Sequence, residues 1–567
     1  MTTRVSKPVR SLSNDVIAGR LLALAQQLQS RGENAFKVKA YRRAAETVAR
    51  LSESIEAGVH AGSDLTRYAG IGKGIAAALR EIVTTGSLGQ LDLLLADTPP
   101  EVAALNEHPR LDPKRVLRAY RKLGISAVEE LKERLETGEV GRVLGQREEQ
   151  HFRQALTNAR EILLEDADLI ARSMQEFLLK KCGASRAEPV GDYRRRVEVV
   201  SELSFIVTTE NFAALVEKAA RYGGGTPLVA AEDHRATFTL SAGISLSVEC
   251  VPLSRWGLAL INATGSEAHV KALRERLGPL SKWARNKKAL LDETSTYRAA
   301  GLAFIPPELR EGRDEIEQAA AGRLPTLVTV GDIRGELHSH TTSSDGIHSI
   351  EEMATAARER GYDYLGVTDH SQSLKIARGL PEEALWEQIR AIDRLNERGA
   401  GVRLLKSAEV DILADGSLDY PDELLAELDY TICSIHSKFR LGTTEQTERI
   451  MRAMDNPYFK ILGHTTGRLL LRRSGYEVDW ERLISHAREA HVSFEINASP
   501  DRLDLSAENA RRVHAAGIKI AVCTDAHHVR ELDYMRCGID VARRAGLEKK
   551  DILNCLPWPK LSVALKR

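Results

Sequence analysis

The sequence is poor in cysteine. Only six cysteines occur in 567 residues, and no two of them form a CxxC pair. The small number excludes a dense disulfide framework, and the spacing excludes a cysteine zinc ribbon. Apolar runs of 18 residues are also missing, so no membrane span is predicted. The first twenty residues contain no continuous apolar stretch, so no secretory signal is predicted and we expect a cytoplasmic protein.

The sequence also lacks an overall charge. Basic and acidic residues number 80 each, and the 43% hydrophobic content excludes a mostly disordered or fibrous protein. Residues 1–50 nevertheless hold ten Lys/Arg against three Asp/Glu, a balance of +7, which leaves −7 for the rest. A basic head favours a polyanionic partner, although a solvated helical face explains the same charge.

The first half of the chain carries helical patterns followed by strand patterns. Apolar residues recur at helical spacing over residues 14–60 and 111–180. Apolar and polar residues alternate over 197–207 and 236–251, which predicts strands. Glycines and prolines over 299–330 predict a connector to a second half.

Strand and helix patterns alternate from residue 334 onward. The apolar runs end at Leu337, Thr368, Glu409, Ser434, Gly463, Asn497 and Thr524. Helical patterns follow at 350–360, 381–397, 444–455, 481–490 and 506–516. Such strand–helix units predict a parallel sheet closed into a barrel, with an open doubly wound sheet as the alternative.

Nearly every strand predicted in the second half is followed by a histidine or a carboxylate. The carboxyl ends of the strands of a closed barrel meet at one mouth. The candidate ligands expected there are His338, His340, Asp345, His370, Glu409, His436, His464, Asp525 and His527. Packing so many ionisable groups together without cations is very costly. The sequence therefore predicts divalent ions, Zn²⁺, Mn²⁺ or Fe²⁺, and about three of them if Glu409 bridges two.

These motifs resemble the PHP (polymerase and histidinol phosphatase) superfamily of metal-dependent phosphoesterases over residues 334–567. The resemblance implies a distorted seven-stranded barrel with a trinuclear site. It implies one ion held by His338, His340, Glu409 and Asp525, a second by Glu409, His436 and His464, and a third by Asp345, His370 and His527. Clustered cations of this kind activate a bound water and stabilise the charge that develops on a phosphate.

Glu409, Asp525 and His338 are accordingly the candidate catalytic residues. Arg468 and Arg502 are candidates to grip the substrate phosphate. A surface ion pair is the alternative role for each arginine.

A glycine-rich turn joins two helical patterns over residues 65–79. Gly70, Gly72 and Gly74 let backbone N–H groups approach a phosphate, and Lys73 adds a positive charge. The pattern is typical of a helix-hairpin-helix that binds the DNA backbone, with a tight turn between helices as the alternative. A second such hairpin, expected near 105–120, lacks the GxG pattern.

Further segments resemble the family X DNA polymerases. Residues 34–45 resemble the small amino-terminal DNA-binding domain of that family, and 191–196 resemble its palm motif. Residues 263–266 resemble its nucleotide-contacting loop, and 305–311 resemble the end of the thumb. Bacterial members carry a PHP domain after the thumb, so nearly the whole chain resembles a bacterial family X DNA polymerase/3′–5′ exonuclease.

The resemblance implies a multidomain fold. It combines α-helical helix-hairpin-helix domains, an α+β nucleotidyltransferase-like palm and thumb, and a distorted (β/α)7 PHP barrel. The predicted parts are a helical DNA-binding domain (1–92), a helical fingers-like domain (93–165), a degenerate palm (166–252), a thumb-like domain (253–320), a linker (321–333) and the barrel (334–567). Lys37 and Lys39 in the first part, together with Lys73, are expected to be solvated lysines that bind DNA phosphates.

The palm departs from the family pattern. Where the family holds two Mg²⁺ ions with three aspartates, this sequence aligns Glu202, Ser204 and Ser247. Glu249 is the nearest other carboxylate and is expected to lie out of phase with Ser247 on its strand. Asp192 replaces the serine that grips the triphosphate. Because two-metal transfer needs carboxylates, we expect a folded palm without polymerase activity.

Arg194 and Arg195 are retained in the degenerate palm motif.

The sequence as a whole predicts a DNA-binding phosphoesterase, a 3′–5′ exonuclease or 3′-end-processing enzyme of DNA repair that acts on gapped or 3′-ended DNA as a monomer. One alternative is an active gap-filling polymerase in which Glu202 and Glu249 replace aspartates. The others are a PHP-type small-molecule phosphatase and a non-catalytic DNA scaffold.

Overall fold

A computed structural model describes most of the chain. The described residues are 12–31, 33, 35–68, 70–95, 105, 111, 113–157, 161–240, 244–278, 290–399 and 401–565. No helix among them combines the length and the apolar character that crossing a bilayer requires. Two compact units form: Met1–Arg194 with Val199–Thr264 and Pro279–Thr296, and Arg195–Glu198 with Gly265–Gly278 and Tyr297–Arg567.

The first unit begins with two helical clusters. The first cluster has helices Asn14–Ser30, Ala35–Arg50, Ile55–His60, Lys73–Thr85 and Gly89–Leu95. Its core includes Leu21, Leu24, Val48 and Leu79. The second cluster has helices Pro113–Leu123, Val128–Glu136, Glu139–Leu144 and Gln146–Thr157. The predicted second hairpin depends on residues 106–110 and 112, which lie outside the described residues.

An α+β domain completes the first unit. Its strands are β1 (Ile162–Leu163), β2 (Arg186–Val190), β3 (Val199–Val200), β4 (Glu202–Thr208), β5 (Leu228–Ala231), β6 (Arg235–Thr239) and β7 (Ser245–Cys250). Its helices are Leu164–Lys180, Gly191–Arg194, Phe212–Ala219 and Trp256–Thr264. The main sheet has the order β2-β4-β7-β6-β5, and one face is covered by an apolar core that includes Leu203, Phe205 and Val248. The opposite face carries Glu202, Ser204 and Ser247, because side chains alternate along a strand.

The segment predicted to be thumb-like is divided between the two units. Besides Trp256–Thr264, which packs with the α+β domain, its helices are Glu267–Leu277, Glu293–Ala299 and Glu315–Ala320. In the second unit, the buried ring of His269 lies 2.6 Å from Glu315 Oε1 and 2.9 Å from the Tyr297 hydroxyl. The six-part division of the chain stays a prediction.

The rest of the second unit is a parallel barrel. Its strands are β8 (Gly335–Glu336), β9 (Tyr364–Val367), β10 (Arg403–Asp411), β11 (Tyr430–Ser434), β12 (Ile461–Leu462), β13 (Ser493–Asn497) and β14 (Ile520–Cys523). Its helices are Ile350–Glu359, Glu382–Arg398, Asp422–Leu425, Thr443–Met454, Trp480–Glu489, Ala507–Ala515, Met535–Arg544 and Trp558–Ala564.

The barrel nearly closes where its first and last strands end. The seven strands pair in the order β14-β13-β12-β11-β10-β9-β8. Beyond β8 and β14, Ser339 and Ala526 form a parallel bridge, and the N–H of His340 donates to the Ala526 carbonyl at 2.8 Å. The predicted barrel is therefore confirmed, and the open doubly wound alternative is wrong.

Apolar side chains close the base of the barrel. Tyr364, Tyr430 and Ile461 begin their strands and are buried together inside it. Leu561 of the last helix and Leu565 beyond it join the same cluster. Because the base is filled with apolar groups, the polar residues that follow the strands collect at the opposite end, the mouth.

Candidate metal centre

The nine predicted ligands come together at the mouth of the barrel. Three groups have one ligand atom per residue within 4.8 Å of one another: His340, Asp345, His370 and His527; His338, His340, Glu409 and Asp525; and His370, Glu409 and His436. His464 joins them, since its Nε2 lies 2.9 Å from Glu409 Oε1. Each ligand occupies this position because it belongs to the carboxyl end of a buried strand or to the loop that follows one.

Glu409 lies at the middle of this cluster and is 1% exposed. Its Oε1 lies 2.9 Å from His464 Nε2 and 3.3 Å from His436 Nε2. Its Oε2 lies 2.8 Å from His370 Nδ1 and 3.4 Å from His338 Nε2. The two oxygens therefore face different imidazoles, which is the arrangement that a carboxylate shared by two cations requires.

Asp345 forms a second focus at the rim of the mouth. Its Oδ1 lies 3.2 Å from His527 Nε2, 3.6 Å from His370 Nε2 and 4.0 Å from His340 Nδ1. His340 thus lies between the two foci, because its Nε2 is 3.0 Å from Asp525 Oδ1. The group around Asp345 contains the three residues predicted for one ion and adds His340 to them.

Several buried polar atoms of the cluster lack hydrogen bonds. Within the described part of the chain, these atoms include His338 Nε2, His340 Nδ1, His370 Nδ1, His464 Nδ1 and Glu409 Oε2. A buried polar atom without a partner is destabilising, and native proteins rarely keep several in one place. Divalent cations coordinated by imidazole and carboxylate would satisfy them, so the residues fit a bound metal.

Burial and neighbouring charges shift the pKa values of the cluster. Burial alone would raise the pKa of Glu409, but His370 and His436 outweigh it and hold that pKa well below its usual range. The pKa of His340 falls to about 4 because of burial and the nearby His527 and His370. His340 is therefore neutral at pH 7, the form in which an imidazole binds a metal.

Buried carboxylates behind the ligands orient two of the histidines. Glu495 Oε1 lies 2.6 Å from His338 Nδ1, and Glu495 Oε2 accepts the backbone N–H of His464 at 2.6 Å. Asp411 Oδ1 lies 3.1 Å from His436 Nδ1. Such contacts fix the tautomer and the orientation of metal-binding imidazoles. These carboxylates were not predicted from the sequence, although a glutamate between Phe494 and Ile496 in a buried strand is a signal for one.

Two further carboxylates hold the backbone around the ligands. Glu336 accepts the N–H of His338 at 2.8 Å and the Thr524 hydroxyl at 2.7 Å. Burial raises the pKa of Glu336 to about 7, although these hydrogen bonds oppose the shift. Asp369 accepts the side-chain N–H of Gln388 at 2.6 Å and the N–H and hydroxyl groups of the loop after β8.

The two candidate phosphate-gripping arginines have different surroundings. Arg502 Nε lies 3.7 Å from Asp525 Oδ2, next to the ligand cluster. Arg468 instead donates from Nε to the Arg502 carbonyl at 2.9 Å and from Nη2 to Glu198 Oε1 at 3.2 Å. Arg468 also donates to the carbonyl of Leu503. Arg468 therefore forms an ion pair, which was its alternative role, and its hydrogen bonds hold the segment that carries Arg502.

The residues aligned with the palm aspartates meet on one face of the central sheet. Ser204 on β4 pairs directly with Ser247 on β7. The hydroxyl of Ser247 lies 2.9 Å from the hydroxyl of Ser204, which lies 3.0 Å from Glu202 Oε1. The structure thus groups one carboxylate with two hydroxyls at this position.

The expectation for Glu249 was wrong. Ser247 and Glu249 are two residues apart on β7, and side chains two apart on a strand share a face. Glu249 is opposite Ile206, two residue pairs beyond the two serines, and it is exposed. A second carboxylate therefore lies on the same face as Glu202, though further along the strands.

The charged residues of the palm motif are engaged in ion pairs. Arg194 donates to both carboxylate oxygens of Glu293, at 2.9 and 2.7 Å, and to the Thr264 hydroxyl at 3.1 Å. Arg195, in the second unit, lies 3.4 Å from Glu311. Asp192 lies in the single-turn helix Gly191–Arg194 and is partly buried.

The glycine-rich turn lies between helices, as predicted. Gly70 has a φ of 83°, and a Cβ there would come within 3.1 Å of the Arg43 side chain. Gly72 caps the helix Lys73–Thr85 without a side chain, which leaves the first N–H groups open to an anion.

The lysines and glycines around this turn differ in exposure. Lys73 and Gly74 are exposed, as are Gly70 and Gly72. Lys37 is half-buried on the helix Ala35–Arg50, whereas the side chain of Lys39 lies outside the described residues. The exposed N-terminus of a helix next to a lysine has the geometry of a phosphate-binding turn.

Fold and site together define the class, a helical hairpin protein with a metal-binding PHP barrel. Family models match the chain as a helix-hairpin-helix domain over residues 13–88 and as a PHP domain over residues 336–499. The "DNA polymerase/3′-5′ exonuclease PolX" of Bacillus subtilis (strain 168) is 34% identical over an alignment of 567 positions, which covers 97% of this chain and 98% of that protein. The chain belongs to the bacterial family X DNA polymerase/3′–5′ exonuclease (PolX) family that carries a PHP domain.

Shorter relatives match less than half of the chain. A probable phosphatase of Thermoanaerobacter sp. (strain X514) is 31% identical over 230 residues, 39% of this chain and 89% of the relative. A probable phosphatase of Clostridium acetobutylicum is 30% identical over 202 residues, 34% of this chain and 78% of the relative.

Proposed function

We propose that the protein is a DNA-binding, metal-dependent phosphoesterase, a 3′–5′ exonuclease or 3′-end-processing enzyme of DNA repair, with a palm that no longer polymerises. The observation that carries this proposal is the buried cluster around Glu409, in which imidazole nitrogens and a carboxylate oxygen lack hydrogen bonds. Such a cluster is poorly suited to a structural role, because it leaves polar atoms unsatisfied.

The assignment of the ligands to individual cations follows the one that the family resemblance implies. In this proposal one ion is held by His338, His340, Glu409 and Asp525, a second by Glu409, His436 and His464, and a third by Asp345, His370 and His527. The donor set suits Mn²⁺, Zn²⁺ or Fe²⁺, about three ions in all. Bound cations supply an activated water, a template for the phosphate and stabilisation of developing charge.

The chain's own residues orient the substrate and the ligands. Arg502 faces the cluster through Asp525 and is placed to hold a phosphate oxygen. Arg468 fixes the backbone of Arg502 and acts as a positioning residue. Glu495 holds the ring of His338 in place, so that Nε2 faces Glu409.

DNA is the proposed substrate because of the first domain. The turn at Gly70 to Gly74 presents helix N–H groups and Lys73 to solvent, and the match over residues 13–88 is a helix-hairpin-helix domain. The Bacillus subtilis relative is described as a 3′–5′ exonuclease. In this proposal residues 1–92 bind the DNA backbone and residues 334–567 hydrolyse the 3′ end.

The palm lacks what nucleotide transfer needs. Two Mg²⁺ ions require several carboxylates, but the position of the aligned aspartates holds Glu202 with Ser204 and Ser247, and Glu249 lies two residue pairs further along the strands. The Arg194 guanidinium is bound at both ends of its fork by Glu293 rather than being open to an anion. These contacts support loss of polymerase activity.

One experiment tests the proposal on the whole protein. Protein purified without chelator is analysed for metals and then incubated with 3′-labelled single-stranded and gapped DNA. We expect more than one equivalent of transition metal, release of nucleotides from the 3′ end, and loss of this release after chelation. Metal-free protein that still degrades DNA would contradict the proposal.

Two observations favour other functions. Glu249 shares a face with Glu202, which favours an active polymerase in which glutamates replace aspartates. Two shorter relatives are described as probable phosphatases, which favours hydrolysis of a small phosphate ester. A nucleotide-incorporation assay and a panel of small phosphate esters separate these functions from the proposed one.

A further inference from the structure

A short loop follows the ligand His370 at the mouth of the barrel. Residues 371–380 leave and return at the same point, since Ser371 and Leu380 form a parallel bridge. The N–H of Leu380 donates to the His370 carbonyl at 2.8 Å. The loop is therefore attached at both ends to the residue that lies 2.8 Å from Glu409.

The loop is held against the neighbouring segment. The N–H of Ser373 donates to Asp419 Oδ2 at 2.7 Å, and the Tyr420 hydroxyl donates to the Leu380 carbonyl at 2.6 Å. Ala377 is buried beneath the tip. These contacts fix the conformation of the loop.

The tip of this fixed loop presents an apolar side chain to solvent. Ile376 is 93% exposed, while Ala377 next to it is 4% exposed. Lys375 and Arg378 flank the isoleucine, are both exposed, and make no ion pair with the described residues. An isoleucine this exposed contributes little to folding, and two cations beside it favour an anionic ligand with an apolar surface.

We propose that loop 371–380 is a wedge that opens the end of a DNA duplex. Ile376 packs against the terminal base pair and unstacks it, while Lys375 and Arg378 contact the flanking phosphates. The inference rests on the proposed function, since the freed 3′ strand then reaches the ligand cluster beside His370. DNA combines regularly spaced phosphates with apolar base faces, and inserted aliphatic side chains unstack base steps in this way.

The burial of the ligands favours such a step. Asp345 and His527 are partly exposed at the rim, but Glu409, His338 and His340 are buried, so a separated strand brings a phosphodiester to these deeper ligands more readily than a stacked duplex end. The wedge therefore matters for paired ends and is unnecessary for single strands, which need no unstacking.

The test compares paired and single-stranded ends in the full-length protein. Ile376→Ser removes the apolar surface at an exposed position and leaves the fold intact. The quantity measured is the rate of hydrolysis of a blunt duplex divided by the rate for a single strand of the same sequence. We expect this ratio to fall roughly tenfold in Ile376→Ser. Val563→Ser is the matched control, because Val563 is 67% exposed on the helix that closes the base of the barrel. An unchanged ratio in Ile376→Ser overturns the inference.

A second measurement reports on the base pair directly. A duplex with 2-aminopurine as the 3′-terminal base and a phosphorothioate at its linkage is bound by each variant. We expect the fluorescence rise caused by unstacking in the wild type and in Val563→Ser, and its loss in Ile376→Ser. Equal rises in all three proteins contradict the wedge.

The two basic residues that flank Ile376 allow an independent test. Lys375→Gln with Arg378→Gln should lower the slope of log affinity against log salt for duplex ends by about two, since two phosphate contacts are lost. An unchanged slope contradicts the phosphate contacts of the loop. Failure of the wild type to hydrolyse any DNA would instead contradict the proposed function, so the two failures are distinguishable.

Discussion

The hydroxyl oxygens of Ser204 and Ser247 lie 2.9 Å apart on neighbouring strands of the palm. The pairing joins two positions that are 43 residues apart in the chain. Both side chains end in neutral hydroxyls, whereas Mg²⁺ prefers carboxylates, so the pair has little affinity for Mg²⁺.

We therefore predict no templated nucleotide incorporation above background on gapped DNA with Mg²⁺ or Mn²⁺. The reason is that Glu202 is grouped with two neutral serines while Glu249 lies two residue pairs away, and one carboxylate cannot neutralise two cations, so the charge developing in transfer goes unstabilised. The constructive test introduces Glu202→Asp, Ser204→Asp and Ser247→Asp together with Asp192→Ser. Strong incorporation by the unmodified protein, abolished by Glu202→Ala, would contradict this prediction and favour the polymerase alternative.

Glu409→Gln should lower DNA hydrolysis by orders of magnitude while DNA binding persists. The amide keeps the shape of the carboxylate but removes the charge that two cations would share. Metal content per chain and the rate of 3′-nucleotide release measure the effect, and a filter-binding assay measures DNA binding. Glu427→Gln, an exposed position of the same barrel, is the control. Normal turnover in Glu409→Gln would show that the centre lies elsewhere.

Glu495→Gln should weaken metal binding roughly 10-fold to 100-fold without removing a ligand. Glu495 accepts a hydrogen bond from His338 Nδ1 at 2.6 Å, and the neutral amide is a weaker acceptor. Titration with a metal indicator after chelation measures the affinity, and added metal should restore much of the hydrolysis. Glu489→Gln on the neighbouring helix changes an exposed carboxylate and should have no effect. Equal affinities in the two variants would rule out this role for Glu495.

Glu198→Gln should lower kcat/KM for DNA hydrolysis about tenfold through the position of Arg502. Glu198 pairs with Arg468 at 3.2 Å, and Arg468 holds the Arg502 carbonyl at 2.9 Å. Asp540→Asn is a matched control, because Asp540 pairs at 2.6 Å with Arg196, which lies in the same short segment as Glu198.

Steady-state kinetics and the free energy of unfolding are measured for both variants. We expect similar losses of stability in the two proteins but a loss of kcat/KM in Glu198→Gln alone. Parallel kinetic losses in both variants would reduce the role of Glu198 to holding the segment in place.

The sequence predicted the barrel strands well because each is buried on both faces. Such strands are continuous apolar runs, and the predicted ends at Ser434 and Asn497 coincide with the observed ones. The sequence favoured a closed barrel but left an open sheet as the alternative, because closure depends on the contact of Ser339 with Ala526, far apart in the chain. Periodicity reports only on local structure.

The ligands were predictable and their supports were not. A histidine or carboxylate shortly after a strand is visible in the sequence, as at His436 and His464. The hydrogen bonds of Glu495 and Glu336 depend on which strands become neighbours, and these are set by tertiary packing. The misplacement of Glu249 was an error of strand phase, since residues two apart share a face.

The helix Trp558–Ala564 has a consequence for the order of events during translation. Its residue Leu561 fills the base of the barrel, and among the described residues this helix follows every strand of the barrel in the chain. The strands are therefore synthesised while their apolar interior is still uncovered, and the hydrophobic cluster is completed only once this helix is available. Nascent chains stalled before residue 558 should consequently be captured by chaperones and degraded by proteases, whereas chains that include the helix resist both.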